Sequence, residues 1–276
     1  MKIPFLKAHG AKNDFLLTWV DEAPPATPGI ARAICDRHTG VGADGWLLVG
    51  RTDNPAEYDG SIRLINSDGS DAELSGNGTR CAAAFLMHHG VVTGDRVRIR
   101  TGAGVKQLRL LHRDGLRFTF EMNMGTPEIR QRHLALPLAQ GARDVTLVWV
   151  GNPQCAVPVD NFDFDWRKLG AEIESHPHFP SRTNVSFFHA PDRHTLEVRF
   201  WERGAGETMS SGTGSTGAVA AAISRGVVDS PVTVHTPAGP LELRGNPDFH
   251  LVGPAEIIAV GVFYCGTING NEHNRG

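Results

Sequence analysis

Residues 75–92 read SGNGTRCAAAFLMHHGVV, and residues 211–228 read SGTGSTGAVAAAISRGVV. Laid over each other without a gap, the two share Ser-Gly-x-Gly at the start, two alanines in the middle and Gly-Val-Val at the end. With one gap the match continues, Asp95–Gly104 (DRVRIRTGAG) onto Pro231–Gly239 (PVTVHTPAG). A unit that occurs twice, too far apart for a solenoid, predicts two similar domains from an old duplication.

Each copy has the same local grammar. An Ala-rich apolar run of helical length follows Ser-Gly-x-Gly, and Gly90 or Gly226 closes it as glycine does at a helix C′ position. A short β-type run comes next. A helix with no charged face must be buried on most sides, which places it inside a curl of strands. Strand-like runs lie around it at 15–20, 62–66, 97–100, 117–122, 145–150, 184–188, 196–200 and 257–263, and amphipathic helices are expected at 28–37 and 166–175. Many strands and few helices in two similar halves make an α+β protein of two lobes. The border is expected after residue 120, at the end of the first unit's closing strands. Pro127–Asp144 reads as an irregular surface linker, and Asn269–Gly276, polar throughout, is expected to fray.

Composition bounds the function classes. Of 276 residues, 40% are hydrophobic and 21% charged, as in a soluble globular protein able to bury a core. A net charge of -3 offers no field for nucleic acid or anionic lipid. The N-terminal MKIPFLKAHGAKNDF has no continuous apolar core of a signal peptide, and no run approaches the length of a membrane span, so a cytoplasmic protein is expected. The four cysteines, Cys35, Cys81, Cys155 and Cys265, have no CxxC spacing and read as free buried thiols. Thirteen histidines show no metal-ligand spacing, so neither metal nor cofactor is indicated.

Chemistry is expected at the two helix starts. The first turn of a helix carries outward amides and a partial positive charge, a seat for a carboxylate. Glycines at 76, 78, 212 and 214 leave that backbone open to an anion. Two such starts facing one another across a cleft would hold one carboxylate from both sides. Proton-transfer groups at the same turns would flank its α-carbon, taking a proton from one face and returning one to the other. The plainer reading is that Ser75 and Ser211 are N-caps, whose oxygens accept a helix amide.

Longer motifs carry a resemblance. KAHGAKNDF at 7–15, RHTGVGADG at 37–45, NSDGSDAELSGNGTRC at 66–81, GNPQC at 151–155, RTNV at 182–185 and ERGAGETMSSGTGS at 202–215 resemble, in this order, those of the diaminopimelate epimerase family. The resemblance covers about Phe5 to Gly261. It implies two pseudo-symmetric lobes, each a curled, mostly antiparallel sheet around a central helix, spanning 1–120 and 121–255 with strand 256–276 returning to the first. It implies an epimerase without cofactor, acting on LL- or meso-diaminopimelate or a related amino acid in lysine biosynthesis, and a possible homodimer. By the same resemblance Asn13, Asn66, Asn184 and Arg203 hold the distal end of the substrate. Gly76, Asn77, Gly212 and Thr213 grip its α-carboxylate, and Asn152 and Glu202 lie around the reacting amino end.

The departures are informative. Where the family carries its catalytic cysteines this chain has Ser75 and Ser211, and where it has a histidine that tunes the thiol it has Gln154. A free thiol has a pKa of about 8.5 and falls further at a helix N-terminus, whereas a serine hydroxyl is a far weaker acid. Three readings stay open: introduced Cys→Ser changes, an enzyme of altered chemistry with Glu202 as the remaining base, or a homologue that binds an amino acid without turnover. Gln154 and Ser210, unforced in a trapping variant, argue against the first. Cys81 and Cys155 are expected to be structural thiols.

Overall fold

The computed structural model describes residues 1–25, 27–72, 75–245 and 247–265. Among them the chain begins β1 (Lys2–Gly10), β2 (Asn13–Trp19), α1 (Pro28–Cys35), β3 (Gly45–Arg51), β4 (Gly60–Asn66), β5 (Asp71–Ala72), α2 (Gly76–His88) and β6 (Arg96–Thr101). Long hairpins follow: β7 (Gly104–Asp114), β8 (Arg117–Gly125), β9 (Glu128–Leu136) and β10 (Arg143–Trp149). Then come β11 (Pro153–Pro158), α3 (Trp166–Glu174), β12 (Asn184–Asp192), β13 (Thr195–Glu202), β14 (Gly206–Thr208), α4 (Gly212–Ser224), β15 (Val232–Thr236), β16 (Gly239–Arg244) and β17 (Phe249–Tyr264). None of the helices is long and apolar enough to cross a membrane, among the described residues.

The chain forms two compact units: Met1–His9, Asp14–Lys106 and the segment from Glu256 make one, Gly10–Asn13 and Gln107–Ala255 the other. The sequence expectation drew the border after residue 120. The units divide between Lys106 and Gln107, because the β7–β8 hairpin pairs Leu108 with Met122 and Asp114 with Arg117 inside the second unit.

In the first unit, β2 and β3 run parallel, joined by α1, and β4 returns antiparallel to β3. Beside β4 lie β5, antiparallel, and β6, parallel. In the second unit β11 and β12 run parallel, joined by α3, and β13 returns antiparallel to β12. Beside β13 lie β14, antiparallel, and β15, parallel. Order and sense repeat element by element. A constant offset of 136 residues carries the pair Ile65↔Asp71 onto Trp201↔Glu207, Ser75 onto Ser211 and Gly90 onto Gly226. The duplication read from one stretch of sequence therefore extends through the surrounding strands and their pairing.

Both Ala-rich helices are buried as their composition predicts. Every residue of α2 from Gly76 to Met87 is buried, as are Gly212 and Gly214–Ala222 of α4. Around α4 the strands supply the bulk that its alanines lack: Phe188, Leu196, Val198, Phe200, Val232 and Val234 fill one core with Ala218–Ala222. Burying each such large side chain stabilises by about 1.5–3 kcal/mol. Both helices end alike. Gly90 (φ 70°) and Gly226 (φ 72°) take the left-handed conformation. Val91 N–H bonds Leu86 O and Gly90 N–H bonds Met87 O, and Val227 to Ala222 and Gly226 to Ile223 repeat the pattern. These are paired Schellman closures.

One expectation fails. Pro127–Asp144 holds a strand, β9, antiparallel to β10 with Leu134 opposite Val145 and Glu128 opposite Trp149. Its sequence, EIRQRHLAL, is mostly exposed. Ile129, Leu134 and Leu136 pack on core clusters but do not alternate along the strand, so its period-2 signal is weak. Asn269–Gly276 lie outside the described residues.

Candidate active site

Ser75 and Ser211 are both N-caps. Ser75 Oγ accepts from Gly78 N–H at 3.0 Å, and Ser211 Oγ accepts from Gly214 N–H at 3.1 Å. By helix geometry the first amides of α4, at Gly212 and Thr213, have no partner within their own helix. The second glycine of the α4 motif is a matter of close approach: a Cβ at Gly214 would stand 2.9 Å from both Phe200 Cδ1 and Ser211 Oγ. The helix start is seated directly on β13.

That strand delivers a carboxylate. Glu202 is the last residue of β13, and Ser211 Oγ donates to its Oε1 at 2.6 Å. Ser211 is only 5% exposed. Burial pushes the Glu202 carboxyl above its ordinary range, and the hydroxyl of Ser211 offsets part of the rise. Ser211 is a helix cap that makes a second bond: its oxygen accepts from the helix and its hydroxyl donates to an acid.

The rest of the second unit's predicted set gathers at the same place. Gln154 Nε2 donates to Asn152 Oδ1 at 2.7 Å, and Asn152 Nδ2 reaches Thr213 Oγ1 at 3.5 Å. Gln154 lies against α4, where a Cβ at Gly217 would meet its Cβ and Cγ at 3.1 Å. Its Oε1, and the buried hydroxyls of Ser210 and Ser215, have no hydrogen-bond partner among the described residues. Polar atoms buried without partners are uncommon, and a cluster of them marks a place where a ligand or water completes the set. Asn184 neighbours Gln154 across β11 and β12. Its amide is engaged on both sides, donating to Pro153 O and accepting from Arg203 N–H, each at 3.0 Å. Arg203 is exposed, with Nη1 on Ser181 O at 3.2 Å.

In the first unit, Asn66 closes β4 nine residues before Ser75, the position that Glu202 holds before Ser211. Its amide donates to Ser70 Oγ at 3.0 Å. Asn77 is buried and accepts from Arg80. Asn13 opens β2 and belongs to the Gly10–Asn13 segment of the second unit. The motifs around it are tied together by ions: Arg37 bonds both Asp14 oxygens (2.7 and 3.2 Å) and Asp44 (2.7 Å), and Lys7 stands 3.1 Å from Asp14. Burial pushes Asp14 up, but Arg37 and Lys7 outweigh it and hold the carboxyl below the usual range.

Glu174 went unread in the sequence. At the end of α3 and nearly buried, it accepts from Arg182 (2.8 Å), Gly204 N–H (2.9 Å) and Trp201 Nε1 (3.4 Å). It thereby fixes the turn that follows Glu202. Arg182, in the quoted RTNV motif, was its visible trace. The cysteines offer no substitute nucleophile: all four are free and buried, and burial pushes Cys35 and Cys81 to about 12 and Cys155 higher still. No group of three or more His, Cys, Asp and Glu suited to a metal occurs among the described residues.

The sequence profile of diaminopimelate epimerases matches residues 5–129 and 146–258. The chain belongs to the diaminopimelate epimerase family. A diaminopimelate epimerase of Pelotomaculum thermopropionicum is 40% identical, the match covering 94% of this chain and 98% of that one. One from Pseudomonas syringae pv. tomato is 37% identical over 95% and 99%. Among solved structures, a hydroxyproline epimerase from Agrobacterium vitis has a TM-score of 0.72 at 14% identity, covering 95% of this chain and 92% of that one. A methylitaconate-delta-isomerase has 0.67 at 15%, covering 99% of each. The chain shares their fold.

Proposed function

We propose that this protein is an amino-acid epimerase or isomerase that needs no cofactor, acting on diaminopimelate or a closely related amino acid. The observation that carries this reading is the α4 start. Outward amides at Gly212 and Thr213 form a seat for an α-carboxylate. A hydroxyl on a partly buried carboxylate stands at the same turn, and Ser210 beside it and Gln154 and Ser215, against or on α4, carry buried polar atoms without partners among the described residues. Family membership supplies the substrate class. Gly76, Asn77 and Ser75 are proposed to do in the first unit what Gly212, Thr213 and Ser211 do in the second, and the repeated topology supports their common origin. Asn152 and Gln154 position Thr213, and Asn13, Asn66, Asn184 and Arg203 are assigned to the distal end. Asn184 does so as a frame residue whose amide also holds Arg203.

A homodimer is part of the proposal. Along β17, Ile258, Val260, Val262 and Tyr264 are each 45–71% exposed on alternate positions of one strand face. An apolar stripe of that kind suits a second copy. We place the protein in the cytoplasm, where a biosynthetic enzyme meets its substrate.

The test is incubation with LL- and meso-diaminopimelate in heavy water, following the α-protons and the isomer ratio by NMR. Loss of α-proton signal is expected. The variant with cysteine at both 75 and 211 should interconvert the isomers. A double variant that binds either isomer yet neither exchanges nor inverts it would sink the assignment.

A further inference from the structure

The second unit fills a place that the first leaves open. Thr18 pairs with Leu48 as Val157 pairs with Phe187, and across the next strand Leu48 pairs with Arg63 as Phe187 pairs with Arg199. Val20 N–H donates to Val49 O as Val159 N–H donates to Phe188 O, both at 2.9 Å. The loops after β2 and β11 begin alike, Val20-Asp21 and Val159-Asp160. Counted from there, Ala23 takes the place of Phe162 and Pro25 that of Phe164.

In the second unit those two phenylalanines cover the sheet. The Arg199 guanidinium stands 4.5 Å from the centroid of the Phe162 ring, and Phe164 meets the Phe187 ring edge-on at 6.1 Å. In the first unit both loop rings are gone and the arginine is kept. A cavity of about 610 Å³ opens there, lined by Val20, Ala23, Pro25, Leu48, Ile62 and Arg63 among others. Sites for small molecules span about 300–1,000 Å³. Asp71 takes the edge of the Arg63 guanidinium, at 2.8 and 3.1 Å, which holds the group in place and leaves its flat face to stack. Arg100 lines the same cavity and adds a second cation. A guanidinium complements the negative face of an aromatic ring, as Arg199 does over Phe162.

We propose that this cavity is a binding site for a free small molecule, which places a planar, electron-rich aromatic ring against Arg63 and Leu48 where the second unit places its own phenylalanines. What the first unit lacks relative to the second is two side-chain rings, the bulk of one small molecule. The site stands independently of the chemistry at the α4 start.

The test is titration of the intact, methyl-labelled protein with indole, phenol and cyclohexanol, followed by NMR. Indole is expected to saturate with a Kd below about 1 mM, with the shifted signals those of Val20, Leu48 and Ile62. Phenol should bind roughly 2–5-fold tighter than cyclohexanol, the margin of an exposed cation–π contact. Arg63→Met should erase that margin and leave cyclohexanol unchanged. Ala23→Phe, which restores the second unit's residue, should weaken indole by about 10-fold or more without lowering Tm. If that variant does not fold, the Arg63→Met comparison decides. Indole that fails to saturate by about 10 mM, or that shifts other residues instead, overturns the site. Cyclohexanol binding as tightly as phenol overturns it too, as does an Arg63→Met protein that keeps the margin. So does a folded Ala23→Phe protein that binds indole like the native one. N-acetyltryptophanamide binding more than about 10-fold tighter than indole overturns the free ligand in favour of a ring carried on a peptide.

Discussion

Glu202, beside Ser211, and Asp14 show opposite shifts of a carboxyl. The Glu202 carboxyl beside Ser211 is raised, so the folded protein binds its proton more tightly than the unfolded chain does. Stability tied to it is present at low pH and is lost as pH rises from the ordinary glutamate value through the folded one. Glu202→Gln is therefore expected to melt higher than the native protein at neutral pH, a gain that fades below about pH 4. Thermal melts across that range check it, and a variant that melts lower at neutral pH contradicts it. Asp14 is lowered, so its contribution is present above the ordinary aspartate value and is lost as pH falls through the folded one. Arg37 is half exposed, and Arg37→Met should cost about 1 kcal/mol at neutral pH, vanishing in acid, by urea titration.

At the scale of the element, the two Ala-rich helices divide their glycines between conformation and contact. A Cβ at Gly226 would meet no neighbouring atom, but the residue has φ 72°. Gly226→Ala is expected to lose about 1–2 kcal/mol from the left-handed backbone and to keep native exchange kinetics. Gly214 has the reverse problem, a Cβ colliding with Phe200 and Ser211. Gly214→Ala should cost about 1–3 kcal/mol by overpacking and also impair exchange, because the atom it displaces is the Ser211 hydroxyl. Comparable kinetics in the two variants would show that the cap is not part of the chemistry. β9 carries a further lesson at this scale: apolar residues that pack on the core without alternating along the strand leave little pattern to read.

For the whole molecule, the repeated sequence is the part of a repeated topology that survived in residues. Elsewhere the units kept order and pairing while their side chains diverged, as Asn66 and Glu202 did. The apolar stripe on β17 is expected to hold two copies together. Val260→Lys, at a residue 71% exposed in the chain, should shift sedimentation toward the monomer with little change in melting temperature. A native protein that sediments as a monomer at all concentrations removes that part of the proposal.

From the residues alone came the α+β composition, the buried helices with their glycine closures, and the motifs that put the chain in its family. These are local properties, set by side-chain volume, backbone freedom and spacing. Folding decided the rest: that Ser211 meets Glu202 at 2.6 Å, that Glu174 braces the turn between them, and that Asn66 takes the equivalent place in the other unit. Nine residues of chain do not reveal that a strand end and a helix start touch, because the hairpin between them and the strand beneath the helix set that distance.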